Sequence, residues 1–517
     1  MTELLPAKAT FAPGESIVVE ARGVDGAVRL VHLDRVVAEA SPDGGVVSFA
    51  PQPEGGYGID ADGASTAVDV LADPLTRPRY GFVSHYEAGR ATDGVAENVR
   101  RFHLNAVQFY DWMYRHAKLM PPTEEFDDAL GQRVSLATVR RLVAAVSEAG
   151  SLPMAYAAVY AVGKEAWPEW KADGLFRRDG SPWMLGDFLW NVDPTSERWL
   201  AHFTADLRST LEVGFAGFHL DQYGSPKWAQ RADGTLVDLV EAFPALIDRV
   251  AADVPESRNI FNNVNDFPTF ATARANQALT YIEVWTPHTR LTHLADLVTK
   301  ARLLAPDRAV VLAAYFSAYR GDEAAALQAE KLQLATVFSH GGTVLLHGEE
   351  AAVLTEAYYV THKEIAATTQ DAARRYFDLA VRYGDLVFAS VDVTRTHLGG
   401  DNEEVRIEAS VPVATDAGPG TLWGRVMRVP DGLLISLIDL SGQTDDIWDA
   451  PKIPSTPLDG VRLSLLRRGE TAPRFAIASP DAPQLAALEP ERSERYDTVS
   501  LPAFDTWALV LIRDGAA

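Results

Sequence analysis

The sequence predicts a multidomain protein with a central (β/α)8 TIM barrel. An N-terminal immunoglobulin-like β-sandwich and a C-terminal antiparallel β-sandwich flank this barrel. Three observations support this fold class. The 517 residues are too many for one ordinary domain. Strand-like and helical runs alternate through the middle, whereas both ends carry β-prone runs separated only by turns. We expect domains at residues 1–76, 77–395 and 396–517.

The first domain is predicted from four short β-prone runs, at residues 16–21, 27–33, 46–49 and 67–71. Pro-Gly, Asp-Gly and Gly-Gly pairs separate these runs, and such pairs are typical of turns. A stretch from Asp73 to Pro78 carries two prolines and is predicted to be the linker.

The barrel is predicted from eight apolar runs, most of them followed by an amphipathic helical stretch. The candidate strands are residues 80–86, 105–110, 152–159, 217–220, 259–264, 279–284, 309–314 and 343–347. An open doubly wound sheet is the alternative, but no GxGxxG follows a strand. A barrel places its active site at the carboxyl ends of the strands.

The third domain is predicted from runs that read as strands without helices between them, at residues 405–411, 421–429, 433–440, 461–466 and 507–512. Turn signals such as Pro430-Asp431-Gly432 separate them. A second β-sandwich is the expected architecture.

The composition excludes several kinds of partner and site. A formal net charge of −24 repels polyanions, so we expect neither nucleic acid nor an anionic membrane as a partner. The absence of cysteine excludes disulfides, thiolate metal sites and a cysteine nucleophile. Neither a signal peptide nor an apolar run of transmembrane length is visible. We therefore expect a cytoplasmic protein, unless a signal peptide has been removed. The sequence predicts no particular oligomeric state.

Two carboxylates follow predicted barrel strands. Asp221 ends the fourth strand in the phrase GFHLDQYG, and Glu283 ends the sixth in YIEVW. Two acids at equivalent strand ends are what glycoside hydrolysis requires. The sequence therefore predicts a sugar-cleaving enzyme with Asp221 and Glu283 as catalytic residues.

The neighbours of the two acids suggest their roles. Asp221 precedes polar Gln222 and Tyr223, so we expect it to stay ionised as the nucleophile. Glu283 lies among apolar residues beside Trp285, and desolvation should raise its pKa and keep it protonated as the acid. Gln222, Tyr223 and Trp285 are also predicted to bind substrate.

The segment 105–121, NAVQFYDWMYRHAKLMP, begins as a strand and continues as a polar, aromatic loop. Aromatic rings bind the apolar faces of sugars while polar groups hold the hydroxyls. The predicted substrate-binding residues in this segment are Gln108, Tyr110, Asp111, Trp112 and His116. Others follow later strands, and they are Asn263, Tyr315, His347 and Glu349. Tyr156 lies inside the third strand and is expected in the core.

The sequence disfavours two other classes of function. A metal hydrolase is disfavoured because His85, His103, His116 and His347 lack the compact spacing of HxH or HExxH motifs. A non-catalytic carbohydrate-binding protein is disfavoured because both acids are present, although a fold alone never proves turnover.

Several phrases in one order resemble glycoside hydrolase family 66, which holds endo-dextranases and cycloisomaltooligosaccharide glucanotransferases. They are QFYDWMYRHAKLMP, GFHLDQYG, YIEVW, HGGTVLLHGEE with the later AYYV, and the C-terminal ISLIDLSGQTDDIWD. The resemblance implies that Asp221 is the nucleophile, Glu283 the acid/base, and Asp111 an important aspartate of the site. It further implies retaining cleavage of α-1,6-glucosidic bonds in dextran or isomalto-oligosaccharides, with no cofactor and no metal.

One departure from the family pattern bears on the reaction. The family's cyclising members carry a carbohydrate-binding module inserted after the acid/base strand, whereas only about 25 residues separate Trp285 from the seventh strand here. This favours hydrolysis. The alternatives are a transglycosylase that makes cyclic or longer isomalto-oligosaccharides, and a member that acts on a different glycan.

Overall fold

The computed structural model describes residues 2–398, 403–471 and 473–514. Within these residues no helix is both long and apolar enough to cross a bilayer.

The N-terminal region is a sandwich of two antiparallel sheets, as predicted. In the strand Ile17–Arg22, every second side chain is buried, which is the pattern of a strand with one face on a core. Residues such as Val19, Leu30 and Ile59 fill the space between the sheets. In spatial order, the sheets consist of Glu3–Pro6, Ile17–Arg22 and Val46–Phe49, and of Arg35–Ala40, Val28–His32, Gly55–Ala61 and Ala64–Val70.

The central region is a closed parallel barrel, which confirms the predicted fold class. The sheet closes because the last strand pairs with both the seventh and the first. Along the described chain its eight strands are β1 (Tyr80–Val83), β2 (Ala106–Phe109), β3 (Leu152–Ala158), β4 (Gly217–Asp221), β5 (Arg258–Val264), β6 (Leu279–Glu283), β7 (Val310–Ala313) and β8 (Thr343–Gly348).

A helix follows each barrel strand. The helices are α1 (Asp93–Arg101), α2 (Leu136–Glu148), α3 (Glu197–Thr210), α4 (Leu239–Asp253), the single turn α5 (Thr269–Thr272), α6 (Leu291–Leu304), α7 (Glu323–Ser339) and α8 (Ala367–Arg382). Four of them begin where a Ser or Asp side chain accepts a backbone N–H of the first turn. These capping residues are Ser135, Ser196, Asp238 and Asp322. The helix α4 begins only at Leu239, because Leu236–Asp238 pairs with Trp228–Gln230 in a hairpin.

Short strands and helices lie outside the eight barrel strands and the eight helices that follow them. The strands among them are Glu125–Asp127, Arg133–Ser135, Ala161–Gly163, Met184–Leu185, Leu189–Asn191, Trp228–Gln230, Leu236–Asp238, Ala352–Val353 and Lys363–Glu364. The short helices are Pro74–Thr76, Trp167–Trp170, Lys171–Asp173, Leu211–Val213, Ser317–Arg320, Tyr359–Thr361, Gly384–Val387 and Thr394–His397.

The C-terminal region is a second β-sandwich, again as predicted, with a separate apolar core that includes Val426, Ile435 and Val510. One sheet runs Val391–Asp392, Leu422–Val429, Gly432–Asp439, Trp507–Arg513, Arg474–Ser479 and Ala482–Leu488, with Val413–Ala414 beside Leu422–Val429. The other runs Val405–Glu408, Arg462–Leu466, Tyr496–Ser500 and Glu491–Arg492.

A buried ion pair joins the three regions. Arg382, at the end of α8, donates two hydrogen bonds of 2.8 and 2.7 Å to the carboxylate of Asp60 in the N-terminal sandwich. Gln484 of the C-terminal sandwich donates to the same carboxylate at 2.8 Å. Arg382 is 1% exposed and Asp60 is 4% exposed, so neither charge is hydrated.

We expect the substitution Arg382→Met to destabilise the protein by about 3–5 kcal/mol, because it leaves the buried Asp60 carboxylate without its counter-charge. Urea or thermal unfolding measures this loss. Arg133→Met is the matched control, since Arg133 pairs with Glu125 on the surface and its loss should change stability far less. Equal effects of the two substitutions would contradict the prediction.

Candidate active site

A cavity of about 290 Å³ lies at the carboxyl ends of the barrel strands. Side chains point inward from alternate positions of the strands that surround it, as the pleat requires. His219 and Asp221 come from β4, Asn262 and Val264 from β5, and Glu283 ends β6. The cavity thus occupies the position at which TIM-barrel enzymes carry their active sites.

One asparagine bridges the two acids. The Nδ2 of Asn262 donates to Oδ1 of Asp221 at 2.7 Å and to Oε2 of Glu283 at 2.9 Å. Tyrosines complete the hydrogen bonding, because Tyr156 donates to Oδ2 of Asp221 at 2.7 Å and Tyr315 donates to Oε1 of Glu283 at 2.9 Å. Both carboxylates are therefore held in fixed positions on the cavity wall.

The surroundings raise the pKa of both acids. Burial raises the pKa of the Asp221 carboxyl to about 7, with the charge of Glu283 as the second cause, while hydrogen bonds from Tyr156 and Asn262 oppose that rise. Burial also raises the pKa of Glu283. Because the two carboxyl groups lie this close, ionisation of one disfavours ionisation of the other. The sequence anticipated the rise for Glu283 but not for Asp221.

Asp111 brings a third carboxyl to the cavity. Its φ of +47° is a left-handed conformation that is rare for a residue with a side chain, and it marks the sharp turn at the end of β2. Burial raises the pKa of Asp111 to about 8, and the charges of Asp128 and Asp221 add to this effect. A carboxyl that is protonated at neutral pH can donate a hydrogen bond to a ligand hydroxyl.

Several buried polar atoms of the cavity have no hydrogen-bond partner among the described residues. They are Oε1 of Gln108, Nδ1 of His116 and Oδ1 of Asn262. Burial, with the charge of Arg115 as a second cause, lowers the pKa of His116 to about 4, so its ring is neutral. Buried polar groups are nearly always paired, so these atoms point to a ligand rich in hydroxyls.

Aromatic rings form the remaining surfaces of the cavity. Tyr359 stacks on Tyr110 with ring centroids 4.3 Å apart and planes 17° apart. Trp285, which is 41% exposed, stands at the rim beside Tyr315. Polar groups and open aromatic faces together suit a sugar ring.

The Glycosyl hydrolase family 66 model matches residues 8–511 of the sequence. The chain belongs to glycosyl hydrolase family 66. Membership confirms the resemblance found in the sequence phrases.

Two curated relatives of this family 66 chain are cycloisomaltooligosaccharide glucanotransferases from Niallia circulans. They are 24% and 23% identical to it over 436 and 503 residues. The matches cover 73% and 85% of this chain but 44% and 51% of the relatives. The chain therefore spans about half the length of the curated relatives it matches.

Solved structures share the fold. A cycloisomaltooligosaccharide glucanotransferase from Paenibacillus sp., complexed with cycloisomaltoheptaose, has a TM-score of 0.88 at 20% identity, covering 99% of this chain and 100% of that chain. A maltogenic α-amylase from Thermotoga neapolitana has a TM-score of 0.55 at 10% identity, covering 85% of this chain and 100% of that chain.

Ten of the residues predicted from the sequence line the cavity of this family 66 member. They are Gln108, Tyr110, Asp111, His116, Asp221, Gln222, Tyr223, Glu283, Trp285 and Tyr315. Gln222 has a second task, because its amide donates to the carbonyls of Asn262 and Phe267 and so braces the loop after β4.

Trp112 and Asn263 were predicted to bind substrate, but the structure places both away from the cavity. Trp112 is fully buried, with Nε1 donating to the carbonyl of Tyr156 and its ring packed on Phe215. Asn263 points out of the barrel and donates to the carbonyl of Tyr281. Asn263 faces outward because successive side chains of a strand point to opposite sides, and its neighbour Asn262 points inward.

His347 and Glu349 also lie away from the cavity, which corrects their predicted role. His347 is buried between β8 and the helices, where its Nε2 lies 2.6 Å from Oε1 of Glu330 and its ring stacks on Phe102. Glu349 pairs with Arg90 and accepts the backbone N–H of Ser84 at 2.6 Å.

The sequence does not identify every polar side chain that lines the cavity. His219, Asn262 and Tyr359 are not among the predicted site residues, and Tyr156 is expected in the core. Side chains alternate between the two faces of a strand, so Asn262 and Val264, two positions apart in β5, face the same side. This alternation is the signal that could have placed Asn262 in the cavity. Tyr359 lies on a short helical turn far along the chain, and no sequence signal placed it beside Tyr110.

Proposed function

We propose that this family 66 member is a retaining glycoside hydrolase that cleaves α-1,6-glucosidic bonds of dextran or isomalto-oligosaccharides. Asp221 would be the nucleophile and Glu283 the acid/base. Asp111, Gln108 and His116 would hold sugar hydroxyls, and Trp285 would bind the apolar face of a glucosyl unit. The observation that carries the proposal is the pair of acids bridged by Asn262 in a cavity with unsatisfied polar atoms.

The short distance between the acids supports retention. Because Asn262 Nδ2 contacts one oxygen of each acid, these oxygens are no farther apart than the sum of the two hydrogen bonds of 2.7 and 2.9 Å. Retaining enzymes separate their carboxyl groups by about 5–5.5 Å, whereas inverting enzymes need about 6.5–9.5 Å to fit a water.

The reaction follows from this arrangement in two steps. The ionised Asp221 attacks the anomeric carbon as the glucosidic C–O bond breaks, and Glu283 gives its proton to the leaving oxygen. Glu283, now a carboxylate, then takes a proton from a water whose oxygen attacks the same carbon and releases Asp221. The raised pKa of Glu283 suits the first step, since the acid must arrive protonated.

The choice of hydrolysis over transfer is supported by the connection between β6 and β7. In the described residues this connection holds α6 (Leu291–Leu304) and no inserted domain. Transglycosylation is the second candidate, favoured by the activity that names both curated relatives.

Time-resolved product analysis with dextran and isomaltotetraose tests the proposal, with the α-1,4-linked glucan amylose as control substrate. We expect reducing ends to rise steadily from the two α-1,6 substrates and not from amylose. Cyclic or longer products without a net rise in reducing ends would establish transglycosylation instead. If neither α-1,6 substrate is cut and a mechanism-based α-1,6-glucoside label does not attach to Asp221, the substrate assignment is wrong.

A further inference from the structure

A second group of ligand-type side chains lies outside the catalytic cavity. His85, after β1, meets Glu349 and His362 from the region after β8, and each of the three offers a ligand atom within 4.8 Å of the other two. Nδ1 of His85 lies 3.8 Å from Oε1 of Glu349, and the two imidazole rings are 5.0 Å apart between centroids. The sequence could not reveal this group, because more than 260 residues separate His85 from its partners.

The two histidines can both act as ligands. Nδ1 of His362 donates to the carbonyl of Tyr359 at 2.9 Å, which fixes the tautomer and leaves the lone pair of Nε2 free. Metal-binding histidines usually have one ring nitrogen held in this way.

Glu349 is held rigidly for the same task. Its φ of +50° is a left-handed conformation, and its carboxylate accepts the backbone N–H groups of Ser84 and His85 and an N–H of Arg90. Oε1 also accepts the hydroxyl of Ser84 at 3.3 Å, so its lone pairs are fully used. Among the described residues Oε2 accepts from Arg90 alone, which leaves a lone pair of Oε2 for a cation.

The charge around the group also favours a cation. A separate cavity of about 300 Å³ contains the three side chains and is lined by Glu87, Glu350 and Glu364 as well. Arg90 pairs with Glu349, so the carboxylates of Glu87, Glu350 and Glu364 remain as negative charges around this cavity.

The group is connected to the catalytic cavity through Tyr359. The carbonyl of Tyr359 accepts the hydrogen bond from His362, while its ring stacks on Tyr110 and its hydroxyl lies 3.2 Å from that of Tyr315. Tyr315 in turn donates to Glu283. Holding His362 therefore holds the turn that forms one wall of the cavity.

We propose that His85, Glu349 and His362 bind one first-row divalent cation, best matched by Zn²⁺, which fixes the Tyr359–Thr361 turn against the catalytic cavity. Two imidazoles and one carboxylate are a zinc-type ligand set, with water as the fourth ligand. The ion is structural, because the cleavage chemistry uses Asp221 and Glu283. The binding claim does not rest on the proposed function.

Calorimetric titration of chelator-treated protein with zinc chloride tests this site. We expect one ion per chain for the wild type and affinity at least about tenfold weaker in His85→Gln and in His362→Gln. Zinc should also raise the thermal midpoint of the wild type but not that of the double variant. Circular dichroism checks that the variants are folded, and Glu349 is left unchanged because it braces the backbone of Ser84.

His288→Gln is the matched control, since His288 and His293 form the other close histidine pair in the described chain, with ring centroids 6.1 Å apart. This variant should bind zinc like the wild type. Equal affinities in all variants, or loss of binding in His288→Gln alone, would overturn the proposal. Calcium binding in place of zinc would also overturn it, because calcium prefers oxygen ligands. Since the readout is zinc binding, its failure leaves the glucan assignment untouched.

Discussion

The substitution Asp221→Asn should lower kcat/KM on isomaltotetraose by about 10⁴-fold or more, because an amide cannot form the glycosyl-enzyme bond. Glu283→Gln should lower it strongly as well, since the amide neither protonates the leaving oxygen nor activates water. Circular dichroism and thermal unfolding should change little, because each amide oxygen can still accept the hydrogen bond that Tyr156 or Tyr315 donates. The new NH2 group can donate to Oδ1 of Asn262, which has no partner among the described residues, once that side chain turns.

Azide distinguishes the two roles. Azide can attack the anomeric carbon in place of the missing nucleophile, or attack the glycosyl-enzyme in place of the water that the missing base would activate. The configuration of the glycosyl azide reports which of these two steps azide replaced. We expect an inverted azide from the Asp221 variant and a retained azide from the Glu283 variant. The reverse pattern would exchange the two assignments.

Asp233→Asn is the matched control for charge removal. Asp233 is exposed at the tip of the hairpin in the loop after β4, the same loop that follows Asp221. Its activity should equal that of the wild type. A comparable loss in this variant would mean that the acidic surface, and not the nucleophile, limits turnover.

The fold was predictable because it depends on local patterns. Barrel strands such as β4 are short, apolar and bounded by turn residues, and helices such as α3 start at serine or aspartate caps. The strand ends placed Asp221 and Glu283 at one mouth, since all parallel strands of a barrel end on the same face. Local sequence therefore carried both the architecture and the two acids.

Residues whose role depends on the inward or outward position of a side chain were less predictable. Asn262 and Asn263 are adjacent and identical, so a shift of one position exchanges the cavity residue with the buried one. His347 ends a strand like Asp221 does, yet it faces the helices, where Glu330 of α7 lies 2.6 Å away. Such contacts join segments that are distant in sequence, and a single sequence contains no information on that pairing.

The pKa of Asp221 illustrates the same limit. Its polar neighbours in the sequence, Gln222 and Tyr223, suggested an ionised carboxylate. The folded cavity instead removes water and brings Glu283 close, and both effects raise the pKa. The protonation of Asp221 therefore depends on burial and on Glu283, which the residues next to it in the sequence do not reveal.

Asn262→Ala should have the second-largest effect, a loss in kcat of about 10²-fold with a change in the pH profile. Its Nδ2 donates to both carboxylates, and hydrogen bonds to the ionised forms lower their pKa values. Removing the amide therefore raises the pKa of both acids. Because the proposed mechanism needs Asp221 ionised and Glu283 protonated, both limbs of the bell-shaped profile of kcat/KM should move to higher pH.

Asn263→Ala separates this effect from a general loss of packing. Asn263 is equally buried but donates outward to the carbonyl of Tyr281 and accepts from Thr272. Its removal should lower the free energy of unfolding by about 1–3 kcal/mol and leave the pH profile unchanged. If the profile of Asn262→Ala also stays in place, the amide does not set the protonation of the pair. In that case the charge repulsion between Asp221 and Glu283, together with the tyrosine donors, governs their ionisation.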